Sequence, residues 1–130
     1  MTKYTRNTLK QLKIHIQKPS IIFLYGDLGA GKTTLSQYII NDILAIDQDV
    51  VSPTYTYYNK IQDIYHFDLY RLTSYDEFVS IGGEEILDNN DGVIIIEWPE
   101  LIEKYYEADI VITLKKTELE GEREISIQEK

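Results

Sequence analysis

Eight consecutive residues carry the clearest chemical signal in the sequence. The segment Gly26-Asp27-Leu28-Gly29-Ala30-Gly31-Lys32-Thr33 matches the spacing G-x-x-x-x-G-K-[ST] at every fixed position. Glycines let a loop turn so that successive N–H groups face one anion, and a helix that starts at the loop adds its own N-terminal amides and dipole. Lys32 brings a charge for the outer phosphates and Thr33 brings a hydroxyl for Mg²⁺. The motif predicts a nucleoside phosphate site; the structural alternative is a glycine-rich strand–helix turn that binds no ligand.

Two carboxylates stand where they could complete such a site. Mg²⁺ needs an acidic ligand beside the loop, and hydrolysis needs a group that orients water. Glu97 follows an apolar run, and Asp68 follows a second, less apolar run. The residues alone leave other interpretations open, because Glu97 could be an exposed acid at a strand end and Asp68 could pair with Arg71. His66, taken by itself, is more often a structural histidine than a catalytic one.

The elements on either side of the loop are those that the site requires. Ile21–Tyr25 is a continuous apolar run, typical of a strand covered on both faces. A helix is predicted from about Lys32, with Leu35, Ile39, Ile40 and Ile43 on its inner face. A second apolar strand is predicted at Val93–Glu97, directly beside the first. Glu97 can share a metal ion with Thr33 only if both strands end at the loop.

The remaining patterns complete an α/β fold. A helix is predicted over 5–17, from the apolar spacing of Leu9, Leu12 and Ile16. Further elements are a hairpin over 54–61 and 63–68, a helix opened by the capping box Ser74–Glu77 and stopped at Gly82-Gly83, a helix from Pro99 through Tyr106, and a closing hairpin over 108–114 and 124–128. We therefore predict a single P-loop domain over residues 1–130, with a mixed central sheet flanked by helices.

Composition narrows the class of protein. The 130 residues carry 22 acidic and 13 basic side chains, a formal net charge of −9, which argues against a primary role in gripping nucleic acid or an anionic membrane. Cysteine is absent, which excludes disulfide and thiolate chemistry. No apolar run approaches the length of a bilayer span, and the N-terminus does not resemble a signal peptide. A cytoplasmic protein is the expectation.

Two other classes of nucleotide-binding protein fit less well. A small-molecule kinase would surround two phosphorylated substrates with several arginines, often from a mobile lid. This chain has three arginines, of which only Arg71 lies in a plausible motif, and it has no basic lid segment. A regulatory GTPase would need an Asn-Lys-x-Asp motif, whereas Asn59-Lys60 is followed by Ile61-Gln62. A small P-loop kinase remains the alternative to an ATP-hydrolysing accessory protein.

Four motifs in order resemble the TsaE (formerly YjeE) family, the small P-loop ATPases of bacterial tRNA threonylcarbamoyladenosine biosynthesis. The similarity covers about residues 5 to 114. The motifs are the phosphate loop Gly26–Thr34, the Ser-Pro-Thr segment Ser52–Thr54, the stretch His66-Phe67-Asp68-Leu69-Tyr70-Arg71-Leu72, and Glu97-Trp98-Pro99-Glu100.

The resemblance implies an activity, ligands and partners. ATP would bind to Gly29, Ala30, Gly31, Lys32, Thr33 and Thr34, with Thr5 approaching the nucleotide. Thr33 and Glu97 would be the Mg²⁺ ligands. Asp68 would orient or activate water, or organise the surroundings of the metal, and Thr54, Tyr70 and Trp98 would line the site or the partner surface. The partners would be TsaD and TsaB, which modify adenosine 37 of ANN-decoding tRNAs. The tRNA would be met only through that complex, and the ATPase would be slow alone.

Overall fold

The computed structural model of the chain describes residues 2–50, 53 and 56–130. Its strands form one seven-stranded sheet in the order β1-β7-β6-β2-β5-β4-β3. The strands are β1 Thr2–Thr5, β2 Ser20–Tyr25, β3 Tyr58–Ile61, β4 Ile64–Asp68, β5 Val93–Glu97, β6 Ile110–Lys116 and β7 Glu122–Glu129. The four central strands β6, β2, β5 and β4 run parallel, and β1, β7 and β3 are antiparallel to their neighbours. The predicted mixed α/β fold is confirmed.

The central strands are apolar because both of their faces are covered. Alternate residues of β5 belong to two different cores: Val93 and Ile95 pack on one side of the sheet, and Ile94 and Ile96 pack on the other. Helix α1 (Lys32–Tyr38), which continues as a wider π-helical turn over Ile39–Ile43, covers the first side. Helices α2 (Tyr75–Ser80) and α3 (Gly83–Asp88) cover the second.

Most predicted elements are confirmed at nearly their predicted bounds. The strand at 21–25, the helix from Lys32 with its apolar inner face, the strand at 93–97, the hairpin of β3 and β4 and the closing hairpin of β6 and β7 are all present. The predicted cap of α2 is also present, since the Ser74 hydroxyl accepts the Glu77 N–H at 3.2 Å. Of the Ser-Pro-Thr segment, Ser52 and Thr54 lie outside the described residues.

The helix predicted over 5–17 is wrong. The chain there forms β1, a single 3₁₀ turn at Leu9–Gln11, and then a segment without regular structure. The Thr8 hydroxyl accepts the Thr5 N–H at 2.8 Å and closes a turn directly after β1. The Tyr38 hydroxyl donates to the Lys10 carbonyl at 3.1 Å, one of the backbone groups that a helix would use itself. The apolar side chains of this segment are therefore buried against α1, although the segment itself is not a helix.

Two smaller differences concern the second face of the sheet. The helix predicted from Pro99 through Tyr106 is only a 3₁₀ turn, Pro99–Leu101, because the following residues continue in three-residue turns such as Tyr105 N–H to Ile102 O at 2.9 Å. Helix α3 begins where Gly82-Gly83 was predicted only to end a helix.

Within the described part of the chain, none of the helices has the length and apolar character needed to span a bilayer.

Candidate functional site

The phosphate-loop motif connects the carboxyl end of β2 to the first turn of α1. Gly29 (φ 78°) and Gly31 (φ 97°) adopt left-handed backbone conformations, which glycine reaches without the steric cost that a Cβ would impose. The Ala30 N–H donates to the Asp27 carbonyl at 3.0 Å, and the Leu35 N–H donates to the Gly31 carbonyl at 2.9 Å. The loop is therefore a tight turn that leads straight into the helix, as an anion-binding loop requires.

Lys32 lies inside the loop and folds back onto it. Its ammonium donates to the Gly26 carbonyl and, at 3.1 Å, to the Asp27 carbonyl, and it lies 3.9 Å from the centre of the Trp98 ring. Burial lowers the pKa of the Lys32 ammonium, and nearby carboxylates, Glu97 first among them, oppose that shift. The ammonium is thus held by neutral oxygens and a ring face, partners that a phosphate, being charged, can replace.

Glu97, at the end of β5, reaches α1. The strands β2 and β5 are parallel neighbours with Leu24 opposite Glu97, so both end beside the loop, as predicted. The Thr33 hydroxyl donates to Glu97 Oε1 at 3.0 Å, and the Ser36 hydroxyl lies 3.3 Å from Oε2. Only 2% of Glu97 is exposed to solvent. The alternative of an exposed acid at a strand end is therefore wrong.

His66 completes the surroundings of Glu97. Its Nε2 is hydrogen-bonded to Glu97 Oε2, and the ring is almost completely buried. A carboxylate oxygen accepts, so Nε2 carries the proton. The opposite ring nitrogen, Nδ1, is buried with no hydrogen-bond partner among the residues that the structure describes. A neutral ring that is protonated at Nε2 leaves Nδ1 without a proton. Burying that nitrogen without a partner costs less free energy than burying the unpaired N–H of an imidazolium cation.

Sequence reasoning missed the roles of Ser36 and His66 as partners of Glu97. For Ser36 a signal existed: it stands three residues after Thr33 on the same helix, so the two hydroxyls share one face. For His66 the signal was weaker: it stands two residues before Asp68, so both side chains lie on the same face of β4. That this face meets Glu97 follows only from the pairing of β4 with β5.

Asp68 lies at the end of β4, in register with Glu97 on the neighbouring strand. Its Oδ1 accepts the Tyr70 N–H at 3.0 Å, which orients the carboxylate. Burial raises the pKa of the Asp68 carboxyl; this hydrogen bond opposes the rise and the charge of Glu97 adds to it. Beside it, the half-exposed Tyr70 ring packs 4.8 Å from the Trp98 ring, centre to centre.

These groups surround one cavity of about 430 Å³, within the usual size range of small-molecule sites. Its lining consists of Leu28, Gly29, Gly31, Lys32, Thr33, Thr34, Asp68, Glu97, Trp98 and Arg123. The structure thus brings most of the predicted site residues together, and Ala30 is buried in the loop behind them. The arginine of this lining is Arg123, which no motif indicated.

Thr5 is the predicted ligand-binding residue that lies outside both this lining and the phosphate loop. It ends β1 and pairs with Glu122 of β7, and its hydroxyl is 3.4 Å from that of Thr8. Its contact with nucleotide stays a prediction. Thr54 lies outside the described residues.

The donor set suits Mg²⁺. This ion prefers oxygen ligands and usually takes one or two from protein, with the rest from substrate phosphates and water. The Thr33 hydroxyl and the Glu97 carboxylate are two such oxygens, 3.0 Å apart at the first turn of α1. In the described part of the chain no three His, Cys, Asp or Glu side chains cluster as a metal cage. The arrangement fits an ion shared with phosphates.

Comparison with known proteins gives a consistent picture. A family model described as "Threonylcarbamoyl adenosine biosynthesis protein TsaE" matches residues 1–125. A Rickettsia felis protein named tRNA threonylcarbamoyladenosine biosynthesis protein TsaE is 40% identical over 102 residues, which are 75% of this chain and 58% of that protein. A Haemophilus influenzae protein of the same name is 40% identical over 108 residues, 79% of this chain and 67% of that protein. The chain thus aligns with less than two thirds of the Rickettsia protein.

A solved structure shares the fold. The crystal structure of YdiB from Bacillus subtilis is similar with a TM-score of 0.62 and 31% sequence identity, covering 87% of this chain and 70% of that one. The similarity therefore extends over most of this chain.

Proposed function

The chain belongs to the TsaE family of tRNA threonylcarbamoyladenosine biosynthesis, and on that premise we propose that it is a Mg²⁺-dependent ATPase that serves this modification. The observation that carries the proposal is the convergence of the Thr33 hydroxyl and the buried Glu97 carboxylate beside the phosphate loop. Buried charges are typically paired or coordinate a metal ion, so a buried carboxylate beside the phosphate loop supports a metal site there.

We assign roles from the geometry. The loop amides and Lys32 would hold the phosphates, exchanging the carbonyl partners of the Lys32 ammonium for phosphate oxygens. Thr33 and Glu97 would hold Mg²⁺, which neutralises charge that develops on the phosphates. Asp68, whose burial raises its pKa, is the carboxylate left to orient water or the surroundings of the metal. His66 and Ser36 would keep the Glu97 carboxylate in one orientation through their bonds to Oε2.

The first experiment tests the loop. Titration of the purified protein with ATP and Mg²⁺ in a calorimeter should show binding that Lys32→Ala abolishes or weakens at least about tenfold, since charge-assisted bonds to phosphate are lost. The matched control is Lys104→Ala, which removes an exposed lysine outside the cavity lining. Equal affinity in a folded Lys32→Ala protein would refute the proposal.

The second experiment separates the two carboxylates. Glu97→Gln should weaken Mg²⁺-dependent binding as well as hydrolysis, because it removes a metal ligand. Asp68→Asn should slow hydrolysis and leave binding largely unchanged, because a water-orienting group acts in the reaction step. The reverse pattern would mean that Asp68 holds the metal and Glu97 acts on water.

The partners proposed are TsaD and TsaB, with tRNA contacted only through them. The net charge of −9 supports an indirect contact with tRNA. The exposed Tyr70 and the neighbouring Trp98 offer aromatic area beside the cavity, of the kind that interfaces favour. Three of the N–H groups of Arg123 already donate to backbone carbonyls. A partner arginine is therefore expected to complete the charge stabilisation, which can change the rate by about 10³–10⁵. This ATP hydrolysis would take place in the cytoplasm, together with tRNA modification.

Reconstitution tests the partnership. ATP hydrolysis should be slow with the purified chain and should rise when TsaD and TsaB from the same source are added. Hydrolysis that the two proteins do not change would contradict partner dependence. If the chain instead transfers phosphate rapidly to a nucleoside, nucleotide or sugar without any protein partner, it is a small-molecule kinase and the accessory role is wrong.

A further inference from the structure

Arg123 lies far from the phosphate loop in sequence but contacts it directly. Its Nε donates to the Ala30 carbonyl at 3.0 Å, and its Nη2 donates to the Gly29 carbonyl at 3.1 Å. Its Nη1 donates to the Glu122 carbonyl at 2.9 Å. One guanidinium thus spans two consecutive carbonyls of the loop and a carbonyl of its own strand.

The strand that carries Arg123 is held from both sides. Arg123 is paired with Tyr4 of β1 on one side and with Lys116 of β6 on the other. Tyr4 is buried, and so is Ile125, two residues further along β7. A side chain on a strand with two partners is placed more precisely than one on a loop. The guanidinium therefore has a fixed position beside the loop, whose glycines give its backbone more conformational freedom than other residues would.

These two carbonyls fix the orientation of two peptide planes of the loop, one of which carries the Gly31 N–H. A trans peptide is planar, so its C=O and N–H point in opposite directions. The Ala30 carbonyl shares its peptide with the Gly31 N–H, and the Gly29 carbonyl shares its peptide with the Ala30 N–H. When Arg123 holds the Ala30 oxygen, the Gly31 N–H must face away from the guanidinium. The Gly29–Ala30 peptide is fixed at both ends, since the Ala30 N–H donates to the Asp27 carbonyl.

We propose that Arg123 is a positioning residue for the phosphate loop, which holds the loop in its anion-binding conformation before nucleotide arrives. The proposal deepens the proposed function and rests on it. Three of the guanidinium's N–H groups are engaged by backbone carbonyls, so its main effect is on the loop and not on the phosphates directly. The geometry requires arginine, because only a planar fork of donors reaches both loop carbonyls at once.

Calorimetric titration with ADP and with ATP·Mg²⁺ tests this, because it returns both the dissociation constant and the fraction of protein that binds. Arg123→Ala should raise the dissociation constants about 10- to 100-fold at unchanged stoichiometry, the range expected when charged hydrogen bonds are lost. Arg123→Lys should fail to restore the affinity, since one ammonium cannot span both carbonyls. Lys115→Ala is the control: it removes a charge from the same hairpin at an exposed position outside the cavity lining.

Three results would overturn the proposal: unchanged affinity in Arg123→Ala, full recovery of affinity in Arg123→Lys, or a lower binding fraction at unchanged affinity, which indicates mere destabilisation. If Arg123→Ala does not fold, Arg123→Lys carries the same test, because it keeps the charge and the aliphatic stem.

A second measurement needs no nucleotide. Amide hydrogen exchange of the ligand-free protein over residues 26–33 should be faster in Arg123→Ala and unchanged in Lys115→Ala. This result separates the two hypotheses. If the unsubstituted chain binds no nucleotide, the proposed function fails while the exchange data still show whether Arg123 orders the loop. If Lys32→Ala loses binding and Arg123→Ala does not, only the positioning role is wrong.

Discussion

The hydrogen bond between His66 and Glu97 permits a quantitative prediction for the substitution His66→Phe. The phenylalanine ring occupies nearly the same space on β4 but cannot donate to Glu97. The buried carboxylate then keeps the Thr33 donor at 3.0 Å, while the Ser36 hydroxyl, 3.3 Å from Oε2, is closer to the Lys32 carbonyl at 3.0 Å. Hydrogen bonds to charged groups contribute about 1.5–3 kcal/mol each. We therefore expect His66→Phe to lower the free energy of unfolding of the ligand-free protein by about 1.5–3 kcal/mol.

The protonation state of His66 decides between two magnitudes. A charged imidazolium paired with Glu97 would make the loss about 3–5 kcal/mol, the cost of breaking a buried ion pair. Nδ1 has no partner among the described residues, which favours the neutral ring and the smaller figure. Domains typically have about 5–15 kcal/mol of stability in total. For a chain of this size the smaller loss corresponds to a fall in Tm of about 6–12 °C.

Urea unfolding of the ligand-free protein at pH 7.5, followed by circular dichroism, measures this change. A double-mutant cycle with Glu97→Gln isolates the pair: in that background His66→Phe should cost only about 0.5–1.5 kcal/mol, because a neutral amide accepts a weaker bond. Tyr65→Phe, on the opposite face of the same strand, is the control and should stay within about 0.5 kcal/mol. The reasoning is refuted if His66→Phe is as stable as the unsubstituted protein, or if its cost is the same in both backgrounds.

Three further predictions concern other parts of the molecule. Gly92→Ala should destabilise the protein by about 3 kcal/mol, measured by urea unfolding, because the added Cβ would lie 1.9 Å from the backbone oxygen of Asp63, which cannot move without disturbing β4 and β5; a change below about 0.5 kcal/mol would contradict it. The fluorescence of Trp98, the one tryptophan of the chain, should change when ATP binds, because the Lys32 ammonium 3.9 Å from the ring would move to the phosphates; the change should be absent in Lys32→Ala. Burial raises the pKa of the Asp68 carboxyl in the folded state, so ionisation of this group opposes folding as the pH rises from the unfolded pKa of 3.8 through the folded pKa. Asp68→Asn should therefore make the ligand-free protein more stable at pH 7, and this advantage should shrink as the pH is lowered toward 4. An equal difference in stability at both pH values would count against the prediction.

The elements that depend on neighbouring residues were predictable from the sequence. The phosphate loop, the apolar strand before it and the amphipathic helix after it each depend on residues within a few positions, so spacing and type determine them. The same holds for the two carboxylates at strand ends. The failed helix over 5–17 shows the limit. Leu9, Leu12 and Ile16 suit a helical face, but β7 offers a strand edge to Thr2–Thr5 and Tyr38 takes a carbonyl of the segment.

The meeting of residues that are distant in sequence depends on how the strands pair. Glu97 meets Thr33 because β5 is the neighbour of β2, and His66 meets Glu97 because β4 pairs with β5 in a particular register. Arg123 reaches the carbonyls of Gly29 and Ala30 because its strand, β7, pairs with β6, and β6 is the neighbour of β2, from which the loop leads. Strand order and register are set by the packing of the whole chain, since a shift of one residue would turn each side chain to the other face. Residue type and spacing therefore predict the loop and the two acidic residues at strand ends, and the packing of the sheet sets which further side chains contact them.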